Sequence, residues 1–302
     1  MPLPPEPPTI QPDVSVVIVH YETLDDLSKC LAALAASAPA VRAEVIVVDN
    51  ASREFIASAV STRFPGAVVL ENDTNVGFAR AANRGLRIAR GRYLLLLNPD
   101  AVVDPDTLAQ MARYMDERPD VGCATARLVL SDGRLDLACR RSFPTPLRAF
   151  YRLTLISRLF PRSRRFAQYN LTYLDEHQEA EIDAPSGAFM MVRNAVRDEI
   201  GLLDERYFMY GEDLDWAFRI KQAGWRVFYA PITTVEHVKR ASSSKSRVRT
   251  IRAFYEAMRI FYREHYEGSY PRPVSWLTYA AINVREALEL TSARISNRSA
   301  RA

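Results

Sequence analysis

The chain has 302 residues, 48% of them hydrophobic and 25% charged, with a formal net charge of +4. That length can bury one large core or two modest ones, and the composition excludes a disordered or fibrous chain. Three cysteines without a CxxC spacing argue against a disulfide framework or a zinc ribbon and fit a reducing cytosol.

The opening MPLPPEPPTIQP lacks the charged-then-apolar layout of a signal peptide and reads as a flexible proline-rich arm over 1–13. From there the chain alternates strand and helix. VSVVIV (14–19) reads as a buried strand, 24–36 as a helix and EVIVVD (44–49) as a second strand. A helix over 52–63, a strand AVVL (67–70), a helix over 78–90 and a strand RYLLLL (92–97) follow. Such βα units predict a doubly wound, mostly parallel α/β sheet.

After Val129 the pattern changes. SDGRL (131–135) carries a hairpin signal, AFMMV (188–192) and WRVFYAP (225–231) read as strands, and 211–224 reads as a helix with acids in its first turn. The tail from Ile251 to Ser292 reads as two helices broken at Pro271 and Pro273. No run approaches the ~18 apolar residues of a membrane helix, so a soluble or peripheral protein is expected.

In open parallel sheets, ligands gather beyond the carboxyl ends of the strands. Here those ends are polar: His20-Tyr21, Asp49-Asn50 and Asn98-Pro99-Asp100, with NDTNVGFARAANRG (72–85) after the third strand. Each alone is a good turn or cap residue; together they point to a site. An Asp there can accept from a ribose hydroxyl or a base N–H. Asn75-Val76-Gly77 at a helix start offers backbone N–H groups to an anion. Asp100 can serve a hard cation that also binds substrate phosphates. Neither GxGxxG nor GxxxxGK[ST] is present, which excludes the usual dinucleotide and P-loop signatures. YGEDLDW (210–216) sets three acids in one helical turn, either as dipole partners or as a general base, with Tyr207, Phe208, Tyr210 and Trp216 as pocket walls. His237 precedes a basic, serine-rich loop suited to a flap over phosphates.

Seven pieces carry a resemblance: VSVVIVHYE, EVIVVDNAS, NVGFARAANRG, LLLLNPDAVV, PSGAFMMVRN, GLLDERYFMYGEDLDWAFRIKQAGWRV and VEHV. In this order the chain from Val14 to Val238 resembles the inverting family 2 glycosyltransferases of the GT-A fold, in their bacterial rhamnosyltransferase-like branch. The resemblance implies a nucleotide-sugar-binding half over 14–130, an acceptor-binding and catalytic half over 131–240, and a basic loop with C-terminal helices over 241–302. It implies a donor site of Tyr21, Asp49, Asn75, Gly77, Asn98 and Asp100, with Asp49 on the base or ribose. Asp100 and His237 would hold Mg2+ or Mn2+ on the donor diphosphate. Asp213 would deprotonate the acceptor hydroxyl, beside a sugar and acceptor pocket of Gly187, Ala188, Glu212 and Trp216. Two positions depart from the pattern: Asn98 stands for the first Asp of the Asp-x-Asp motif, and His20 stands where relatives often carry Asn.

From Cys139 to Leu174 there are eight arginines and no acid, and Lys239 to Arg252 adds six basic residues without one. Such patches imply an anionic partner. Within 145–165, Leu147, Phe150, Tyr151, Leu155 and Leu159 fall along one helical face, as in an interfacial helix; a core-packed helix with a basic edge is the alternative. The tail residues Trp276, Leu277, Ala280, Val284 and Leu288 would reinforce membrane binding or join a homodimer. A lipid-linked saccharide acceptor fits these surfaces on an enzyme at the inner membrane face, in cell-wall or surface-polysaccharide assembly. The rhamnose donor, dTDP-L-rhamnose, rests on family likeness alone. The rival readings are a UDP- or GDP-sugar donor, a catalytically silent membrane-binding scaffold, and a nucleic-acid binder. The acidic site counts against the last, and no nucleic-acid partner is expected.

Overall fold

The computed structural model describes residues 11–37, 40–53, 56–239 and 247–299, with side chains through 295. Most of the proline-rich arm, and the serine-rich loop read as a flap, lie outside the described residues.

The first half is built as the hydrophobic runs require. Strands β1 (Val14–His20), β2 (Ala43–Asp49), β3 (Val68–Glu71) and β4 (Tyr93–Leu97) run parallel in the order β3-β2-β1-β4. Every residue of β1 and of β4 is buried, because helices cover both sheet faces. Helices α1 (Leu24–Ser37), α2 (Ala57–Arg63) and α3 (Phe78–Ile88) make the crossovers, and α3 lies on β1 and β2. It lies so close that a Cβ on Gly85 would come within 2.6 Å of Val17 Cγ1.

Beyond β4 the sheet becomes mixed. A tight turn at Asn98-Pro99-Asp100 leads into β5 (Ala101–Val103), then come α4 (Thr107–Asp116) and β6 (Val121–Val129). β7 is Ala180–Glu181, and β8 (Phe189–Arg193) is inserted antiparallel between β4 and β6. β9 (Arg226–His237) runs parallel to β6 and antiparallel to β5 and β7. The SDGRL turn closes a short hairpin, with Val129 bridged to Leu135. The molecule is thus a mixed α/β fold around a central, mostly parallel sheet, continued by C-terminal helices.

After β8 come α7 (Asn194–Ile200) and α8 (Glu212–Gln222). Trp216, Ala217 and Ile220 of α8 face the core. Asp215 turns the other way, to His265 at 2.8 Å and Arg219 at 2.9 Å. His265 ends α9 (Arg247–His265) and stacks on Phe218, ring centres 4.1 Å apart. The break falls at Pro271 alone: α10 (Arg272–Ser299) takes Pro273 into its first turn and packs back on α9 through Ile282 and Ala293. Among the described residues no helix is long and apolar enough to cross a membrane.

The single amphipathic helix expected over 145–165 is two short ones: α5 (Pro146–Leu153) and α6 (Ile156–Leu159), separated by Leu155 at φ 64°. Tyr151 is buried, whereas Leu147, Phe150, Leu155 and Leu159 are exposed, so the expected face is divided. All three cysteines are free and buried.

Candidate active site

Register brings the first pair together. Because β5 returns antiparallel along the end of β9, Ala101 lies opposite His237, and Val238 N–H donates to the Asp100 carbonyl at 3.0 Å. This places Asp100 Oδ1 3.3 Å from His237 Nε2, with Asn98 Nδ2 3.5 Å from the same nitrogen. The other ring nitrogen, Nδ1, lies 2.8 Å from Asp136 Oδ2, and Lys239 Nζ donates to Asp136 Oδ1 at 2.7 Å. Burial disfavours charge on His237, but hydrogen bonds to Asp100 and Asp136 prevail and raise its pKa to about 9. Asp136 is likewise held well below the usual carboxylate range, its burial outweighed by His237 and Lys239.

The donor set fits a divalent cation. A carboxylate oxygen and an imidazole nitrogen face each other, and the rear nitrogen of the ring is fixed by a second carboxylate, as metal-ligating histidines commonly are. Among the described residues no group of three His, Cys, Asp or Glu could hold a metal unaided. Two protein ligands suffice where substrate phosphates complete the shell.

At the neighbouring strand ends, Asp49 is buried and held by one donor on each carboxylate oxygen, with acceptor capacity to spare. Thr23 N–H donates to His20 Nε2 at 3.1 Å, which leaves the proton on Nδ1 to donate to Asp49 Oδ1 at 2.9 Å. Ser52 N–H donates to Asp49 Oδ2 at 3.2 Å. His20 therefore orients Asp49. Tyr21, next in the chain, is 40% exposed and free to meet a ligand's flat face.

The anion cradle expected at Asn75-Val76-Gly77 is corrected by the geometry. Val76 N–H donates to Asn50 Oδ1, Gly77 N–H to Asn75 Oδ1 and Phe78 N–H to the Phe208 carbonyl, so these donors are already used. Asn50 is the hub: its amide nitrogen donates to Asn75 Oδ1 and the Gly77 carbonyl, and its oxygen also accepts from Asn72. Gly77 sits at φ 89°, and a Cβ there would lie 2.5 Å from the Phe208 oxygen. The loop clamps α3 to the segment before α8.

The third group surrounds α8. Asp213 Oδ2 accepts from Arg141 Nη2 at 2.7 Å and from Gly187 N–H at 3.1 Å, and Oδ1 from Leu214 N–H at 2.7 Å. Of roughly four acceptor positions on a carboxylate, one remains. Arg141 also donates to the Pro185 carbonyl. Glu212 is buried beside Asp213 with Oε2 unpartnered among the described residues; burial, then the Asp213 charge, pushes its pKa up to about 8. Ala188 accepts from Asn98 N–H at 3.1 Å and so ties this group to the Asp100 turn. Trp216 is not a pocket wall: it is fully buried and its indole donates to the Gly201 carbonyl at 3.1 Å.

Asp136 and Arg141 escape a reading of the sequence, and Asn50, named there only as a polar strand end, gives no sign of being a hub. Asp136 is one acid after an ordinary turn, and Arg141 is one arginine among eight. Only the partners, 101 and 72 residues away, single them out.

A family model described as Glycosyltransferase like family 2 matches residues 12–256. An N-acetylglucosaminyl-diphospho-decaprenol L-rhamnosyltransferase of Mycobacterium tuberculosis is 26% identical over 288 residues, 92% of either chain. A low-salt glycan biosynthesis hexosyltransferase of Haloferax volcanii is 22% identical, over 76% of this chain and 68% of its own. Among solved structures, a Pyrobaculum calidifontis mannosyltransferase in complex with GDP-Man and Mn2+ aligns with TM-score 0.58 and 20% identity, over 97% of this chain and 76% of that one. The S. aureus protein TarS in complex with UDP-GlcNAc aligns with TM-score 0.56 and 19% identity, over 89% and 71%.

Proposed function

Since the chain belongs to glycosyltransferase family 2, has the GT-A fold and is a glycosyltransferase, we propose that it transfers L-rhamnose from dTDP-rhamnose to a lipid-linked saccharide, with inversion. The observation that carries the reading is the Asp100–His237 contact, linked through the Asn98–Ala188 and Gly187–Asp213 hydrogen bonds to the Asp213 carboxylate. The rhamnose donor and lipid-linked acceptor draw support from the mycobacterial relative, whose length is matched almost throughout.

In this reading Asp100 and His237 would hold Mg2+ or Mn2+, which would supply positive charge against the departing diphosphate. Asp136 fixes the His237 ring. Tyr21 and the His20-oriented Asp49 receive the nucleoside. Asp213 accepts the proton of the acceptor hydroxyl at its remaining acceptor position, while Arg141 keeps the carboxylate aimed past Gly187. Glu212, whose burial beside the Asp213 charge favours the neutral acid, adds little second charge beside the base.

The enzyme works at the inner membrane face, where such acceptors reside, in cell-wall or surface-polysaccharide assembly. A homodimer forms along α10, where Leu277, Ala281, Val284, Leu288 and Thr291, all exposed, recur at alternating spacings of four and three. Sedimentation equilibrium would show a dimer that Leu288→Glu converts to monomer; a monomeric wild type removes this point.

The test of the function is a transfer assay with dTDP-rhamnose, UDP-sugars and GDP-sugars on a polyprenyl-diphosphate-GlcNAc acceptor. Product with dTDP-rhamnose is expected. Product with a UDP- or GDP-sugar alone would replace the donor, and none with any donor would leave the silent scaffold.

A further inference from the structure

The arginine-rich excursion between β6 and β7 has an inside and an outside. Its root is closed by Ser142 N–H on the Tyr169 carbonyl, at 2.8 Å, directly beside Arg141 and its partner Asp213. Inside, Tyr151 packs edge-on against Phe166 with ring centres 5.0 Å apart. Arg148 reaches Gln168 at 3.0 Å and Asp183 at 3.3 Å, and Arg152 lies 4.3 Å over the Tyr169 ring. The excursion is therefore held firmly against the body.

Outside, the pattern inverts. Leu147, Phe150, Leu155, Leu159 and Phe160 are exposed by 59, 53, 49, 73 and 54%. The left-handed Leu155, itself one of the five, lies between the two short helices that carry Leu147, Phe150 and Leu159, and Phe160 follows the second. Around them stand Arg158, Arg162, Arg164 and Arg165, exposed and, among the described residues, in no ion pair. No acid occurs from Cys139 to Leu174. A protein partner's surface mixes both signs of charge, whereas apolar tips ringed by arginine alone complement a plane of anionic headgroups over acyl chains.

We propose that this outer face, Leu147 to Arg165, docks the enzyme on an anionic phospholipid surface and fixes its orientation there. The proposal rests on the glycosyltransferase reading and deepens it. With the excursion rooted at Arg141, docking sets Asp213 just above the headgroups, where the sugar of a lipid-linked acceptor emerges.

The experiment is sedimentation of the full chain with vesicles of phosphatidylglycerol and phosphatidylcholine, or of phosphatidylcholine alone. The wild type is compared with Phe150→Ser/Leu159→Ser/Phe160→Ser, with Arg158→Glu/Arg162→Glu/Arg164→Glu, and with the surface control Ile88→Ser, at an exposed residue of α3. Circular dichroism and donor-induced thermal shift report whether each variant is folded. Binding of the wild type to anionic vesicles, at least about tenfold weaker in both excursion variants and unchanged in the Ile88→Ser control, is expected; each arginine contributes roughly fivefold. Three results overturn the proposal: no vesicle binding by the wild type, equal binding by folded excursion variants, or a wild-type dimer that these variants dissociate without any vesicle binding. Vesicle binding without transfer to any lipid-linked acceptor would uphold the docking face and reject the functional reading on which it rests.

Discussion

Glu212 and Asp213 are adjacent residues with opposite fates. Asp213 collects three donors, while Glu212 is buried with an oxygen unpartnered and its pKa near 8. An acid whose folded pKa lies above its unfolded value contributes stability in full below the unfolded pKa and loses it as pH rises through the folded one. Stability should therefore fall between about pH 4.5 and 8, and Glu212→Gln should flatten that decline in urea titrations run across the range. A decline of unchanged slope would move its origin elsewhere. Asp213→Asn should lower transfer by about 10² to 10⁴, the range for a general base, with donor affinity by calorimetry unchanged; full turnover would remove the base assignment. The acids of this motif stand out in the sequence, but their division does not. Asp215 lies two positions on, yet faces His265, because a helix turns successive side chains by about 100° and the packing partner decides which face is which.

At the scale of elements, the loop from Asn72 to Gly77 acts as a clamp. Gly77→Ala must accommodate both a positive φ and a Cβ 2.5 Å from the Phe208 oxygen. A loss of about 1 to 3 kcal/mol is expected, read as a lowered denaturation midpoint; an unchanged midpoint would mean that the loop yields freely. The buried strands were legible because covered faces leave unbroken apolar runs, as in VSVVIV and YLLLL. β5 was not, since three residues become a strand only by pairing with the end of β9, more than 130 positions away. The break at Leu155 was equally hidden: no glycine or proline marks it, and the helical spacing continues across it. The helix-start anion site failed for a related reason, because Asn50 and Phe208 reach its donors from elsewhere in the fold.

Across the whole molecule, a single sheet joins the two halves and gathers the proposed site residues at one edge. The parallel half delivers His20, Asp49 and Asp100 to its carboxyl edge, and β9 returns His237 to the same edge. The family and the fold could be read along the chain, and the polar strand ends could be named from it as candidates. The supports His20, Asp136 and Arg141 could not be assigned, because each is defined by a partner brought near only by folding. The central claim is that Asp100 and His237 hold a divalent cation on a nucleotide-sugar diphosphate. The most direct measurement is thermal unfolding of wild type and Asp100→Ala with dTDP-rhamnose, in Mn2+ or in EDTA, since a ligand that binds only the folded state raises its stability. A rise in Tm with donor and Mn2+, lost in EDTA and lost in Asp100→Ala, is the predicted result. The same rise in EDTA, or in a folded Asp100→Ala, would contradict it.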